Sequence, residues 1–132
     1  MSHAHRLDEH PIHLGLGAKA SNEPAFTGDM AWYGAYAKRH ANDGDEGRLV
    51  SFASMRDNWR HWEMHPRGDE VVLCTEGAIT LLQEHEEGIV RTHLNAGEYA
   101  INPAGVWHTA DLEAPASVLF ITAGAGTEHR PR

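Results

Sequence analysis

Two glutamates and two histidines in the middle of the chain have the residue types and spacing of a metal site. Glu63 and His65 are two positions apart, so in an extended strand, where alternate side chains share a face, they lie side by side. Residues 66–69, Pro-Arg-Gly-Asp, are typical of a turn, after which Glu70 can fold back toward His65. His108 ends a second such stretch. Imidazole and carboxylate donors together suit first-row transition metals, and two histidines with one carboxylate leave open coordination positions on iron.

These residues belong to two spaced patterns. Residues 63–77 read E-x-H, four residues, E, six residues, G, and residues 97–108 read G, five residues, P-x-G, two residues, H. In this order they resemble the two motifs of the cupin superfamily. Glu63 stands where the first motif usually has a histidine, and Leu112 stands where an asparagine often follows His108. The resemblance covers most of the chain and indicates a fold and a metal but no single reaction, because one fold hosts many chemistries.

The resemblance implies that His65, Glu70 and His108 hold one divalent metal inside a β-barrel. Iron, manganese, zinc, nickel and copper are all compatible with these donors. Glu63 has two interpretations. As a fourth ligand it would make a site of two carboxylates and two imidazoles, which favours harder divalent ions. Alternatively it forms a hydrogen bond with His65 or Arg60 and leaves a triad of ligands.

Other residues are candidates for the surroundings of the metal. His61 shares the strand phase of Glu63 and is either an acid or base near the mouth of the barrel or a solvent-facing rim residue. Trp59 has the same phase, and Val72 and Cys74 alternate along the next strand, so these three are predicted to line a substrate pocket. Cys74 is most simply a small buried apolar side chain.

The elements that must position these residues are short strands separated by turns. The prediction is an all-β fold, a double-stranded β-helix or cupin jelly roll, with a short N-terminal helix. Residues 1–45 form an N-terminal extension of the same domain, 46–125 the barrel and 126–132 a C-terminal tail, which either is free in solvent or binds an anion or another subunit. The eight predicted strands cover 49–55, 60–65, 70–75, 78–85, 89–94, 99–101, 106–111 and 117–122.

The N-terminal extension combines a polar arm with a helix. Residues 1–11 hold three histidines and are expected to be disordered or to form a surface strap. An edge strand is expected over 12–17. Asp29 is a predicted N-cap for a helix over 30–40, with Gly44 ending it. The aromatic residues of that helix are expected to pack against the sheet, or else to form a lid over a ligand.

Composition limits the function classes. The net charge of −8 argues against a nucleic-acid partner, and no apolar run is long enough to cross a bilayer. The single cysteine cannot form an internal disulfide, so a cytoplasmic location is expected. Edge-strand pairing predicts a homodimer. The expected function is metal-dependent action on a small organic molecule, as a dioxygenase, isomerase or lyase; the alternative is a non-catalytic protein that binds or senses a small ligand.

Overall fold

The computed structural model describes residues 3–132, so residues 1 and 2 of the predicted N-terminal extension lie outside the described residues. Two antiparallel sheets form the domain, with strand orders β2-β1-β3-β10-β5-β8 and β11-β4-β9-β6-β7. The strands are β1 Ile12–Gly15, β2 Lys19–Asn22, β3 Arg48–Met55, β4 His61–Met64, β5 Glu70–Glu76, β6 Ala78–His85, β7 Gly88–Asn95, β8 Tyr99–Asn102, β9 His108–Asp111, β10 Ala116–Thr122 and β11 Glu128–Pro131.

The barrel strands confirm the all-β prediction. Each of the eight predicted strands is present, with ends within about two residues of those expected. Strand β5 illustrates the alternation on which this prediction rests. Glu70, Val72 and Cys74 are buried, while the residues between them are only partly buried, as a side-chain period of two requires. A hydrophobic core lies between the sheets and is built from β5, β6, β7 and β10. Its buried members are Val72, Cys74, Ile79, Leu94, Ala116, Val118 and Phe120.

Helix α1, Met30–Arg39, begins where predicted. The Asp29 carboxylate accepts a hydrogen bond from the Trp32 backbone N–H at 2.8 Å, as an N-cap does. The helix ends at Arg39, and Gly44 lies within a following 3₁₀ segment, Ala41–Glu46, instead of ending the helix itself. Trp32 is buried, and its ring packs against the rings of Phe26 and Tyr36. With ten residues, the one α-helix within 3–132 is too short to cross a membrane.

The N-terminal segment is more structured than a loose arm. Residues 3–11 include a turn, and a His10 ring nitrogen lies 3.0 Å from the Glu23 carbonyl oxygen, so the segment is a strap against the domain. Strand β1 pairs with both β2 and β3, which makes β2 the edge of the sheet. The strand predicted to lie at the edge, β1, is therefore the second strand from the edge of its sheet.

The C-terminal segment is not a free tail. Strand β11 pairs with β4 over its whole length, from Glu128 opposite Met64 to Pro131 opposite His61. The Arg130 guanidinium lies 5.4 Å from the centroid of the Trp62 ring and 4.5 Å from that of Trp107, within cation–π range. The alternative of a tail free in solvent was wrong. The sequence could not show this, because the stabilising contacts come from distant tryptophans and from the open edge of β4.

Gly77, which ends the first motif, is expected to tolerate substitution poorly. Its φ is 70°, and an added Cβ would lie 2.6 Å from the Pro115 carbonyl oxygen. Gly97, with φ of 89° and nothing within 4 Å, is a matched control. Gly97→Ala should cost only the left-handed backbone penalty of about 1–2 kcal/mol. Gly77→Ala should cost roughly 1–3 kcal/mol more because backbone must move. Equal losses in urea unfolding would contradict this reading.

Candidate metal centre

Strand pairing brings the four predicted metal ligands together. Glu63 on β4 lies directly opposite His108 on β9, while His65 follows β4 and Glu70 begins β5. One ligand atom from each of the four side chains lies within 4.8 Å of the others. His65, Glu70 and His108 are buried, and Glu63 is partly exposed. The structure therefore places residues from three strands and one loop at a single point inside the barrel.

Short distances join imidazole nitrogens to carboxylate oxygens in this cluster. His65 Nε2 lies 3.1 Å from Glu70 Oε2 and 3.2 Å from Glu63 Oε1, and His108 Nε2 lies 3.2 Å from Glu70 Oε1. Neither Nε2 has a hydrogen-bond partner of acceptable geometry within residues 3–132, although both are buried. Unpaired buried nitrogens are costly and rare, so their convergence on carboxylates requires an explanation.

The other ring nitrogen of each histidine indicates where its proton lies. Thr127 Oγ1 donates to the Gly124 carbonyl oxygen at 2.8 Å, so it accepts from His65 Nδ1 at 2.8 Å. His108 Nδ1 lies 3.4 Å from the Val106 carbonyl oxygen, which can only accept. In the neutral rings we therefore assign the proton to Nδ1 and a free lone pair to Nε2. A metal-ligating histidine shows this arrangement, because its second nitrogen donates to a neighbouring acceptor.

Glu70 is the most constrained carboxylate in the cluster. The sheet register places Asn102 on β8 and Thr122 on β10 directly opposite it. Asn102 Nδ2 donates to Oε1 at 3.0 Å, and the Thr122 hydroxyl donates to Oε2 at 2.6 Å. Burial opposes the charge of Glu70, but the two facing histidines outweigh it and lower the pKa of this carboxyl. Glu70 is thus held ionised with both oxygens aimed at the histidines.

The cluster also changes the acidity of His65. Burial lowers the pKa of its ring, but the carboxylates of Glu63 and Glu70 outweigh burial and raise that pKa to about 9. The metal-free site therefore holds a proton on His65 at neutral pH. A divalent cation would satisfy the same two carboxylates and displace that proton, because metals bind neutral imidazole.

The donor set fits a divalent transition metal. Two imidazole lone pairs and the carboxylate oxygens face one another at 3.1–3.2 Å, where their repulsion needs a proton or a cation between them. Mixed nitrogen and oxygen donors match the preferences of iron, manganese and zinc. Glu63, His65, Glu70 and His108 are the residues that would hold the ion.

Glu63 marks the more open side of the cluster. Its side chain is 27% exposed, against 4% for Glu70, and its Oε2 lies 4.0 Å from His129 Nε2 on β11. Burial first, and then the negative charges of Glu63 and Glu70, raise the pKa of Tyr33 in α1 to about 12.

The remaining predicted residues lie outside the cluster. His61 is exposed, in agreement with its reading as a rim residue. Val72 and Cys74 are fully buried in the hydrophobic core instead of lining an open space. Trp59 packs on that core and lies edge-on to His108, with ring centroids 6.2 Å apart.

Sequence reasoning missed the residues that orient the ligands. Asn102 lies next to Pro103 in the second motif, and a pairing of its strand with β5 would have placed it opposite Glu70. Thr122 required the register of β10, and Thr127 lies in a tail that was expected to be free or to bind a partner. No local pattern signals these roles, because each depends on residues far away in the sequence.

Solved structures share this architecture. A protein with a double-stranded β-helix domain from Klebsiella pneumoniae superposes with a TM-score of 0.53 and 23% identity over 64% of this chain and 76% of that chain. A cupin-2 domain containing protein from Shewanella frigidimarina gives 0.49 and 21%, over 64% and 71%. The iron(II) form of HppE in complex with substrate gives 0.50 and 14%, over 57% and 42%. Neither protein-family models nor curated proteins give a match. The likeness shows the fold and leaves the reaction open.

Metal binding should release a proton. Because the His65 pKa is raised to about 9 in the metal-free protein, the ring is charged below that pH and neutral above it. The apparent dissociation constant should therefore fall about tenfold per pH unit as pH rises toward 9, and then level off. Calorimetry in buffers of different ionisation enthalpy measures the released protons. An affinity independent of pH between 6 and 8 would contradict ligation by His65.

Thr127 is expected to orient His65. Thr127→Val removes the acceptor for Nδ1–H at nearly constant volume, so metal affinity should fall roughly 10- to 100-fold. Thr127→Ser keeps a hydroxyl and should retain most of the affinity. If valine and serine variants bind equally well, the hydroxyl has no role in orienting the ring.

Proposed function

We propose that this chain, whose fold is the double-stranded β-helix of the cupin superfamily, is an enzyme that uses one divalent metal to act on a small organic molecule. The observation that carries the proposal is the pair of buried Nε2 atoms without hydrogen bonds, both within 3.2 Å of Glu70. A purely structural barrel would gain nothing from such a cluster, since replacing buried charges with apolar side chains is often neutral or stabilising.

Glu63 acts as the fourth ligand in this proposal. Its Oε1 lies 3.2 Å from His65 Nε2, as close as the corresponding contact of Glu70 with His108. The alternative, in which Glu63 accepts a hydrogen bond from His65, needs a proton on Nε2 that the contact with Thr127 disfavours in the neutral ring. Two carboxylates also balance the charge of a divalent ion in a buried site.

The side of the cluster at Glu63 is the proposed entrance for substrate. A metal held by the four residues of the cluster would supply Lewis acidity and, if it is redox-active, oxygen chemistry. Glu63 reaches solvent while His65, Glu70 and His108 do not. His129 flanks this side, with its Nε2 4.0 Å from Glu63 Oε2, and can contact a bound molecule. HppE, of the same fold, contains iron(II) and a substrate, which supports metal chemistry in this architecture but does not select oxygenation over isomerisation or elimination.

A non-catalytic binding protein is the second candidate. Val72 and Cys74, predicted to line a substrate pocket, are fully buried in the packed core. A site with so little adjoining apolar space would favour a small polar ligand, such as a carboxylate, that binds chiefly through the metal. Such a protein would hold its ligand in a one-to-one ratio without converting it.

The chain is also proposed to form a homodimer. Strands β7 and β8 are the outer strands of their sheets at one end of the sandwich. Four exposed apolar side chains lie on them: Ile89, Val90, Tyr99 and Ile101. Open edges with apolar side chains are surfaces that proteins cover or use for pairing. Light scattering that shows a monomer at micromolar concentration would exclude this assembly.

The ligand assignment predicts a selective loss of metal. His108→Ala should lose the ion of the barrel site and the stability that it adds, because binding to the folded state alone contributes to folding free energy. His61→Ala, an exposed histidine of the adjoining strand, is the matched control and should keep the metal. Elemental analysis of protein purified without chelator measures both. Equal metal content in the two variants would defeat the assignment.

Incubation of the protein with an extract of small molecules distinguishes an enzyme from a protein that only binds its ligand. An enzyme should deplete a compound many times over relative to its own concentration, and His108→Ala should not. A binding protein should retain a compound in a one-to-one ratio with no new product. Mass spectrometry before and after incubation reads both outcomes, and retention without turnover would overturn the enzymatic proposal.

A further inference from the structure

A second group of potential ligands lies in the N-terminal extension, away from the cluster in the barrel. His13 on β1, His40 at the end of α1 and Asp43 in the 3₁₀ segment each offer one atom, all within 4.8 Å of one another. These three side chains line a cleft of about 350 Å³. His13 is only 4% exposed, whereas His40 and Asp43 are partly open to solvent. An ion in the cleft can therefore reach ligand atoms of all three side chains, including the buried His13.

The hydrogen bonds of His40 leave one of its ring nitrogens free to bind an ion. Its Nε2 lies 3.0 Å from both oxygens of Glu23, a buried carboxylate that Arg39 also contacts at 2.6 Å. A carboxylate can only accept here, so Nε2 carries the proton and Nδ1 has a free lone pair in the neutral ring. Within residues 3–132, Nδ1 forms no hydrogen bond. A carboxylate behind a histidine in this way is the usual support of a metal-ligating imidazole.

His13 is held between two partners. The Tyr36 hydroxyl lies 2.6 Å from its Nδ1, and Asp43 Oδ2 lies 2.5 Å from its Nε2. Since Asp43 can only accept, the neutral ring donates from Nε2 and accepts from Tyr36 at Nδ1. A divalent ion entering between Nε2 and Oδ2 would replace that one proton and release it to solvent.

Two glycines lie close to the side chains of His13 and Asp43. An added Cβ at Gly47 would lie 2.9 Å from His13 Cε1, and one at Gly15 would lie 3.0 Å from Asp43 Oδ2. The His13 and His40 rings are stacked, with centroids 3.6 Å apart and planes 14° apart. The His40 ring must therefore tilt for both lone pairs to reach one ion, and its 18% exposed side chain leaves room for this.

We propose that His13, His40 and Asp43 form a second divalent-metal site that fastens strand β1 and helix α1 to the 3₁₀ segment leading into the barrel. Two imidazoles and one carboxylate suit a borderline ion such as Zn²⁺, with water from the cleft completing the coordination. The site is structural, and it is independent of the cluster at His65.

Zinc stoichiometry of the full chain tests this site. Metal-free wild type titrated with ZnCl₂ should bind two ions, and Asp43→Asn and His40→Ala should each bind one. Asp45→Asn is the matched control, because Asp45 lies in the same segment but is exposed and contacts only Arg67 at 3.3 Å; it should bind two. Asparagine at position 43 can still accept from His13, so this variant should fold. Equal zinc stoichiometry in the Asp43 and Asp45 variants would overturn the proposal.

A stability measurement separates this site from the one in the barrel. In His108→Ala, which lacks the barrel site, ZnCl₂ should still raise the unfolding temperature, because binding to the folded state stabilises it. In His108→Ala with Asp43→Asn the rise should vanish. If the barrel does not bind metal, His108→Ala will match wild type in stoichiometry while Asp43→Asn still loses one ion. No rise in the single variant would overturn the second site.

Discussion

The buried charge of Glu70 is the constraint on which the rest of this structure depends. A carboxylate with so little exposure costs several kcal/mol unless donors or cations surround it. Asn102 and Thr122, directly across from it in the sheet, supply the donors, and His65 and His108 approach from the other side. The pairing of β8 and β10 with β5 is therefore both the frame of the fold and the scaffold of the site.

The C-terminal segment supports this centre from outside the barrel. Thr127, just before β11, accepts from His65 and so directs its Nε2 inward. Strand β11 is held by its pairing with β4 and by Arg130, which lies over Trp62 and Trp107. The residues after the predicted barrel thus orient one ligand as well as covering the edge of a sheet.

The sequence predicts the barrel well because its signals are local. Alternation along β5 and the spaced motifs place Glu70 and His108 on inward faces, and the cap at Asp29 predicts the start of α1. The orienting residues were not predictable in this way, since Thr122 and Thr127 reach the site only through pairing with or proximity to distant strands. Val72 and Cys74 have the inward phase expected of pocket residues, but strand phase cannot distinguish a cavity wall from a filled core.

X-ray absorption spectroscopy of the Asp43→Asn variant, which lacks the second proposed site, tests the central claim most directly when the protein carries one equivalent of its preferred metal. With Nε2 of His65 and His108 and the carboxylates of Glu63 and Glu70 as ligands, the spectrum should show two imidazoles and a remaining shell of oxygen atoms. A first shell with one imidazole or none would contradict the assignment, because Glu70 would then be balanced by protonated histidines and not by a metal ion.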